Sequence, residues 1–174
     1  IRAHDLTAMP AQALPQYQWN SDNSFSFTVE NSLPPRCWGT PLTNGRLGWF
    51  ATDCASGHLW MENARECRIT PWNNDPLRMT GIESLEFSSD GNRTSLFATP
   101  GGSSTTVTYD FGTAVWETRL RPGNTIRVTA FIPMDTDARV FLIEAPNLAR
   151  GRIDWGCPLV LSSDDRDATQ VITG

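Results

Sequence analysis

Paired carboxylates are one chemistry that the sequence could in principle supply; in glycoside cleavage, for example, a proton donor and a second carboxylate lie about 5–10 Å apart across the scissile bond. Five glutamates are candidates for such a pair. Their spacing along the chain places no two of them across a cleft, so we predict no catalytic residue. The candidates are Glu62, Glu66, Glu83, Glu86 and Glu117.

The sequence gives little support for histidine-dependent catalysis or for phosphate binding. The two histidines are His4 and His58, and neither stands beside a recognisable nucleophile. We interpret His58 as a strand residue next to a turn at Gly57. The sequence also lacks G-x-S-x-G, H-E-x-x-H, G-x-G-x-x-G and G-x-x-x-x-G-K-[ST]. We therefore expect no nucleophile elbow, no phosphate-cradling loop and no cofactor.

The cysteines bear on the compartment in which the protein works. They form an even set without a C-x-x-C pair, which argues against zinc and favours disulfides, as in exported proteins. We therefore expect at least one disulfide and a secreted or periplasmic location, with four buried free thiols as the alternative. The sequon Asn92-Arg93-Thr94 agrees with export. Three full pairings of Cys37, Cys54, Cys67 and Cys157 stay open.

Two acidic pairs resemble the start of a calcium loop. They are Asp135-x-Asp137 and Asp165-x-Asp167. Both lack the central glycine and the distal glutamate of such a loop. We interpret them as solvated turn carboxylates, and we predict no metal site.

Tryptophan is abundant, with seven residues in a chain of 174. Flat aromatic faces stack on the C–H faces of sugar rings, and the same side chains fill protein cores. We expect Trp49 and Trp116, which lie within strand patterns, to be core residues. Trp60 and Trp72 neighbour acidic and amide residues, so they either contact sugar or belong to the core.

These side chains must be positioned by β-strands, because apolar residues recur with a period of two and no helical period persists over three turns. Turn signals separate the short runs, which predicts an all-β domain, an antiparallel β-sandwich. A continuous apolar run at 140–143 predicts a strand buried on both faces. The remaining predicted strands are 25–29, a hairpin of 47–53 with 58–63, 106–111, and a hairpin of 116–120 with 126–132.

The chain divides into an extended N-terminal arm, 1–24, and a β-sandwich domain, 25–174. Residues 70–81 and 101–104 are predicted loops, and 121–124 suits a type II turn. The tail after residue 161 has no closing strand, so we expect the domain to continue in a longer polypeptide.

Charge and hydropathy exclude two classes of partner. The net charge is −5, and the 14 basic residues, all arginine, are scattered along the chain. A nucleic-acid binder needs a basic face for phosphate contacts, so we predict no nucleic-acid partner. No apolar run approaches the roughly 20 residues of a membrane helix, so we predict no membrane partner.

One turn stands out by its chemistry. Asn44-Gly45 is a strong turn dipeptide, because both residues tolerate positive φ. The turn presents the guanidinium of Arg46 at the start of a strand. There Arg46 either binds a carboxylate or a group of sugar hydroxyls, or fastens the turn to its own sheet or a neighbouring domain.

The segment Trp38-Gly39-Thr40-Pro41-Leu42-Thr43-Asn44-Gly45-Arg46-Leu47-Gly48 resembles the opening of the N-terminal domain of glycoside hydrolase families 65 and 95. Phe131-x-Pro133-x-Asp135 resembles a later passage, and the resemblance covers 33–145. Thr43 stands where those families have glycine. The resemblance implies a β-supersandwich, similar to galactose mutarotase, ahead of an (α/α)6 barrel that carries the catalytic acid and base.

Three functions follow as hypotheses. The first is an accessory β-supersandwich of a glycoside hydrolase or phosphorylase, with the catalytic barrel and an oligosaccharide or polysaccharide as partners. The second is a free-standing carbohydrate-binding module, and the third is a structural or adhesion sandwich. For either of the first two, the candidate sugar contacts are Asn44, Arg46, Trp60 and Trp72.

Overall fold

The computed structural model describes residues 16–71, 83–121, 124–146 and 150–160. Within these ranges all regular elements are β-strands, and every strand pairing is antiparallel. The all-β prediction is confirmed. The strands are β1 (Tyr17–Trp19), β2 (Phe25–Val29), β3 (Gly39–Thr43), β4 (Leu47–Thr52), β5 (Leu59–Met61), β6 (Ser84–Ser89), β7 (Asn92–Ser95), β8 (Thr105–Asp110), β9 (Thr113–Arg121), β10 (Asn124–Phe131), β11 (Val140–Glu144) and β12 (Arg152–Gly156).

The largest sheet has six strands in the order β1-β2-β8-β9-β10-β11. One row of apolar side chains runs across five of its strands, from one cross-strand pair to the next. Four members of the row are buried and the last, on β11, is partly buried. This row forms the inner face of the sheet. It consists of Phe27, Val107, Trp116, Val128 and Ile143.

Two three-stranded sheets, β3-β4-β5 and β12-β6-β7, pack over this inner face. Trp49 of β4 lies against Trp116 of β9 with ring centroids 6.1 Å apart. Phe97, which follows β7, packs edge-on to the same indole at 5.1 Å. Trp49 and Trp116 are fully buried, which confirms that both are core residues.

The prediction that 140–143 is a strand buried on both faces is wrong in its second part. The strand forms as β11, but among the described strands it pairs with β10 alone and lies at the edge of the six-stranded sheet. Phe141 packs on the core, whereas Leu142, on the other face, is 52% exposed. A strand is buried on both faces only if a layer of structure covers each face. The described elements cover only the face of β11 that carries Phe141.

Both predicted hairpins are present. Strand β4 pairs with β5, and β9 pairs with β10. The hairpin of β6 and β7 is not among the predicted strands. Its turn, Asp90-Gly91, has φ of 51° and 78°, the left-handed values that favour an Asp-Gly pair in a tight hairpin.

Some expectations fall on residues outside the described ranges. These are residues 1–15 of the arm, most of the loop at 70–81, the two central turn residues 122 and 123, and the tail after residue 160. Within the arm, Tyr17–Trp19 form β1, which pairs with β2. Among the described residues, no helix is both long and apolar enough to cross a membrane.

Candidate functional site

The β3-β4-β5 sheet turns one face to the core and one away from it. Leu47 and Trp49 of β4 point inward and are buried. Arg46 and Gly48 alternate with them, so they belong to the opposite face. The register pairs Gly48 with Trp60, which brings Trp60 to that face as well. We call the surface formed by Arg46, Gly48, His58, Trp60 and Glu62 the outer face.

The indole of Trp60 lies directly on the backbone of Gly48. A Cβ atom at Gly48 would be 2.2 Å from the ring, so only glycine permits this contact. The His58 ring lies beside the same indole, with centroids 5.0 Å apart and planes inclined by 35°. Trp60 remains partly exposed. The outer face therefore holds an aromatic ring in a fixed position.

The Asn44 turn is built as its sequence predicts. The Asn44 Oδ1 atom accepts hydrogen bonds from the backbone N–H groups of Arg46 at 3.0 Å and Leu47 at 2.8 Å. Gly45 has a φ of 92°, in the left-handed region that side chains disfavour. This geometry fixes where the chain enters β4 and where the Arg46 side chain leaves the backbone.

Arg46 and Asn44 both reach a second turn at Thr136 and Asp137. Arg46 Nη1 lies 2.7 Å from Asp137 Oδ2, and Arg46 Nη2 lies 3.7 Å from Glu62 Oε1. Asn44 Nδ2 donates to Asp137 Oδ1 at 3.1 Å and to the Thr136 carbonyl at 3.2 Å. In this structure Arg46 therefore fastens two turns of its own domain, which is one of the alternatives that the sequence left open. Its side chain is still 64% exposed.

The structure brings Arg46 and Trp60 to one face, with Asn44 at the adjoining turn, whereas Trp72 lies outside the described residues. Sequence reasoning did not single out Asp137 as a partner of Arg46. It also passed over two other tryptophans, Trp19 and Trp155, which are 73% and 55% exposed. The high tryptophan content was the one signal for them, and it did not distinguish surface from core.

The environment of His58 keeps its ring neutral near neutral pH. Burial, and then the nearby positive charge of Arg68, lower the pKa of His58. Burial disfavours the charged imidazolium, and a like charge does the same. The ring beside Trp60 is therefore uncharged when the outer face is at neutral pH.

Each of the five candidate glutamates lies in an ion pair with an arginine. The pairs are Glu62 with Arg46, Glu66 with Arg65, Glu83 with Arg139, Glu86 with Arg93, and Glu117 with Arg127.

All four cysteines are free thiols in this structure, which contradicts the expected disulfide. Cys37 and Cys54 nevertheless face each other, with Sγ atoms 3.9 Å apart against about 2.0 Å in a disulfide. The Cys37 S–H donates to Asp53 Oδ1 at 2.7 Å. The hydrogen bond with Cys54, and then burial, raise the pKa of the Cys37 thiol. Burial also raises the pKa of Asp53.

The sequence matches the family of the glycosyl hydrolase 94 supersandwich domain over residues 25–152. The match covers most of the chain, and the chain belongs to this family. A supersandwich domain is thus confirmed, and the family that matches is family 94, whereas the motif resemblance named families 65 and 95. None of the curated proteins compared with the chain matches it.

Proposed function

We propose that this chain is the accessory supersandwich domain of a carbohydrate-active enzyme, a glycoside hydrolase or a phosphorylase, and that it packs on a catalytic (α/α)6 barrel. The family membership supports the carbohydrate context. The observation that carries the proposal is the outer face, where Trp60 lies on Gly48 beside Arg46 and Glu62.

The outer face has the chemistry of a sugar contact. An indole supported on one side by backbone offers its exposed part to the C–H groups of a pyranose ring. The Arg46 guanidinium and the Glu62 carboxylate supply donors and acceptors for hydroxyl groups beside that ring. Both side chains are about two-thirds exposed, which leaves them accessible to a ligand while they pair with each other.

The domain is proposed to assist catalysis and not to perform it. Glycoside cleavage needs two carboxyl groups held across the scissile bond, about 5–10 Å apart. Each of the five candidate glutamates is instead paired with an arginine. The acid and base are accordingly assigned to the barrel.

Apolar side chains near the two edge strands β11 and β12 support a docked neighbour. Leu142 and Trp155 are more than half exposed, and so is Leu159 after β12. Unpaired edge strands and exposed apolar side chains mark surfaces on which another element can pair or pack. We propose that the barrel, or further sheet of the parent enzyme, covers this side.

Export to a secreted or periplasmic compartment remains part of the proposal. Asn92 of the sequon is exposed at the start of β7, where a glycan has room. Intact-mass measurement of the protein recovered from its native compartment tests this directly. A protein found only in the cytosol would contradict it.

The function is tested by titrating the chain with a panel of oligosaccharides while the indole N–H resonances are followed by NMR. We expect the Trp60 resonance to shift and Trp60→Ala to abolish binding, with Trp155→Ala, a change at a more exposed tryptophan, as the control. Binding that survives Trp60→Ala would reject the outer face. Turnover of a glycoside, with or without phosphate, that vanishes when one carboxylate is changed would reject the accessory role.

A further inference from the structure

The strongest unassigned feature is a cluster of Cys37, Asp53 and Cys54 at the end of the β3-β4 pair that lies opposite the Asn44 turn. One sulfur or oxygen atom from each of these residues lies within 4.8 Å of the other two. The register that pairs Gly39 with Thr52 continues past the strands and sets Cys37 opposite Cys54. We infer that this cluster binds a thiophilic divalent cation, for which Zn²⁺ is the best fit.

The distance between the two sulfurs fits a shared metal ion. Zinc–sulfur bonds are about 2.3 Å long, so two thiolates on a tetrahedral zinc lie about 3.8 Å apart. The Sγ atoms of Cys37 and Cys54 are 3.9 Å apart. The pair is therefore already at the separation that the ion requires.

Asp53 supplies the second, independent observation. Its residue is completely buried, yet its Oδ2 atom has no hydrogen-bond partner among the described residues. The ion pairs formed in the described ranges do not include this carboxylate. A buried carboxylate oxygen without a donor or a cation is costly, and coordination of a cation removes that cost.

The cluster is held in place by the backbone around it. The Asp53 carbonyl accepts from Trp116 Nε1 at 2.9 Å and from the Ala98 N–H at 3.1 Å. The Asp53 N–H donates to the Trp38 carbonyl at 3.0 Å, which fixes Cys37 next to it. Ligands that are already held in position lose little entropy when the ion binds.

The donor set selects the type of ion. Two thiolates favour soft or borderline ions, and a carboxylate disfavours monovalent copper, which leaves zinc as the common divalent ion that accepts both. Three protein donors leave a fourth position for solvent, which half-buried Cys37 admits. Binding releases the thiol protons to the buffer, and no electron is transferred.

The test uses the full chain, purified under reducing conditions and freed of metal with a chelator. Zinc chloride is titrated in, and the thiols are then alkylated and mapped by mass spectrometry. We expect one equivalent to bind and to protect Cys37 and Cys54, while Cys67 and Cys157 stay reactive. Cobalt(II) should give the absorption of a tetrahedral ion with two thiolate ligands. This readout needs no variant.

Variants then assign the ligands. Cys54→Ser and Asp53→Asn should each weaken zinc at least about 100-fold, because even the loss of a group that only orients a ligand weakens binding 10–100-fold. The matched control is Cys67→Ser, a change at an exposed cysteine, which should leave affinity unchanged. Failure to bind, protection of Cys67 and Cys157 instead, an octahedral cobalt spectrum, or a native Cys37–Cys54 disulfide would each overturn the inference.

Discussion

Glu83 and Arg139 form a bidentate ion pair inside the protein, with N–O distances of 2.7 and 2.8 Å. Their side chains are 0% and 5% exposed. The Arg139 guanidinium carbon also lies 4.5 Å from the centre of the Trp49 ring. The pair joins the residue before β6 to the residue before β11, so it connects a small sheet to the large one.

Replacing one residue of the Glu83–Arg139 pair should destabilise the protein far more than replacing both. Arg139→Met leaves the Glu83 carboxylate buried without a counter-charge, and we expect the free energy of unfolding to fall by about 3–5 kcal/mol. The double variant with Glu83→Leu should lose much less than the sum of the single variants. Urea denaturation measures all of these. The exposed pair Arg127–Glu117 is the control, with an expected effect of about 1 kcal/mol or less. Additive losses at Glu83 and Arg139 would contradict the coupling.

Gly48→Ala should displace the Trp60 indole, because the added methyl group would occupy the position of the ring. We expect a loss of about 1–3 kcal/mol in stability, as for other overpacked positions. The Trp60 indole resonance should shift and sugar affinity should fall. Gly45→Ala is the control, since its Cβ meets no atom within 4 Å. That variant should lose roughly 1–2 kcal/mol through its positive φ without moving Trp60. An unchanged Trp60 environment in Gly48→Ala would refute the contact.

The two roles of Arg46 are separable by experiment. Asp137→Asn removes the charge that fastens the guanidinium, and we expect a loss of less than about 1 kcal/mol, because the pair is exposed. It should not weaken sugar binding. Arg46→Ala should have a similar effect on stability and should weaken sugar binding about tenfold, the value of one hydrogen bond to a charged group. Calorimetric titration distinguishes the variants. Equal sugar affinity in both would show that Arg46 acts only as a fastener.

His58 should make stability depend on pH in a defined direction. Its pKa is lower in the folded chain than the usual 6.5, so the unfolded chain binds protons more readily. Stability is therefore complete above about pH 6.5 and falls as the pH drops through that value towards the folded pKa. Because His58 is only half-buried, we expect a loss below about 1 kcal/mol. His58→Phe should remove this part of the dependence in urea titrations at about pH 7.5 and about pH 5.5. His4→Gln serves as the control, and an unchanged pH profile in His58→Phe would contradict the assignment.

Local patterns predicted most of the strands, because the alternation of apolar and polar residues that is typical of a strand is visible in the sequence itself. The alternation at 25–29 and at 126–132 gave β2 and β10. The apolar run at β11 misled the burial prediction, since exposure depends on whether another layer covers the strand. The sequence does not carry that information locally.

The candidate site needed the register of the strands as well. Arg46 and Trp60 share a face only because Gly48 pairs with Trp60, and a shift of one residue would place them on opposite faces. The meeting of Cys37 and Cys54 likewise depends on the pairing of β3 with β4. Spacing along the chain, read without that register, could not reveal either group.

The order of strands in the six-stranded sheet also determines the order in which its strand pairs can form. Strands β8 to β11 are consecutive neighbours, whereas Ser26 of β2 meets Thr108 of β8 across 82 residues of chain. Contacts between residues close in sequence form before those that close long loops. At a synthesis rate of roughly 5–20 residues per second, β8 is synthesised about 4–16 s after β2. Through that interval β2 has only the three-residue strand β1 beside it, so Phe25 and Phe27 lack most of their sheet, and exposed apolar residues of this kind favour aggregation of the nascent chain.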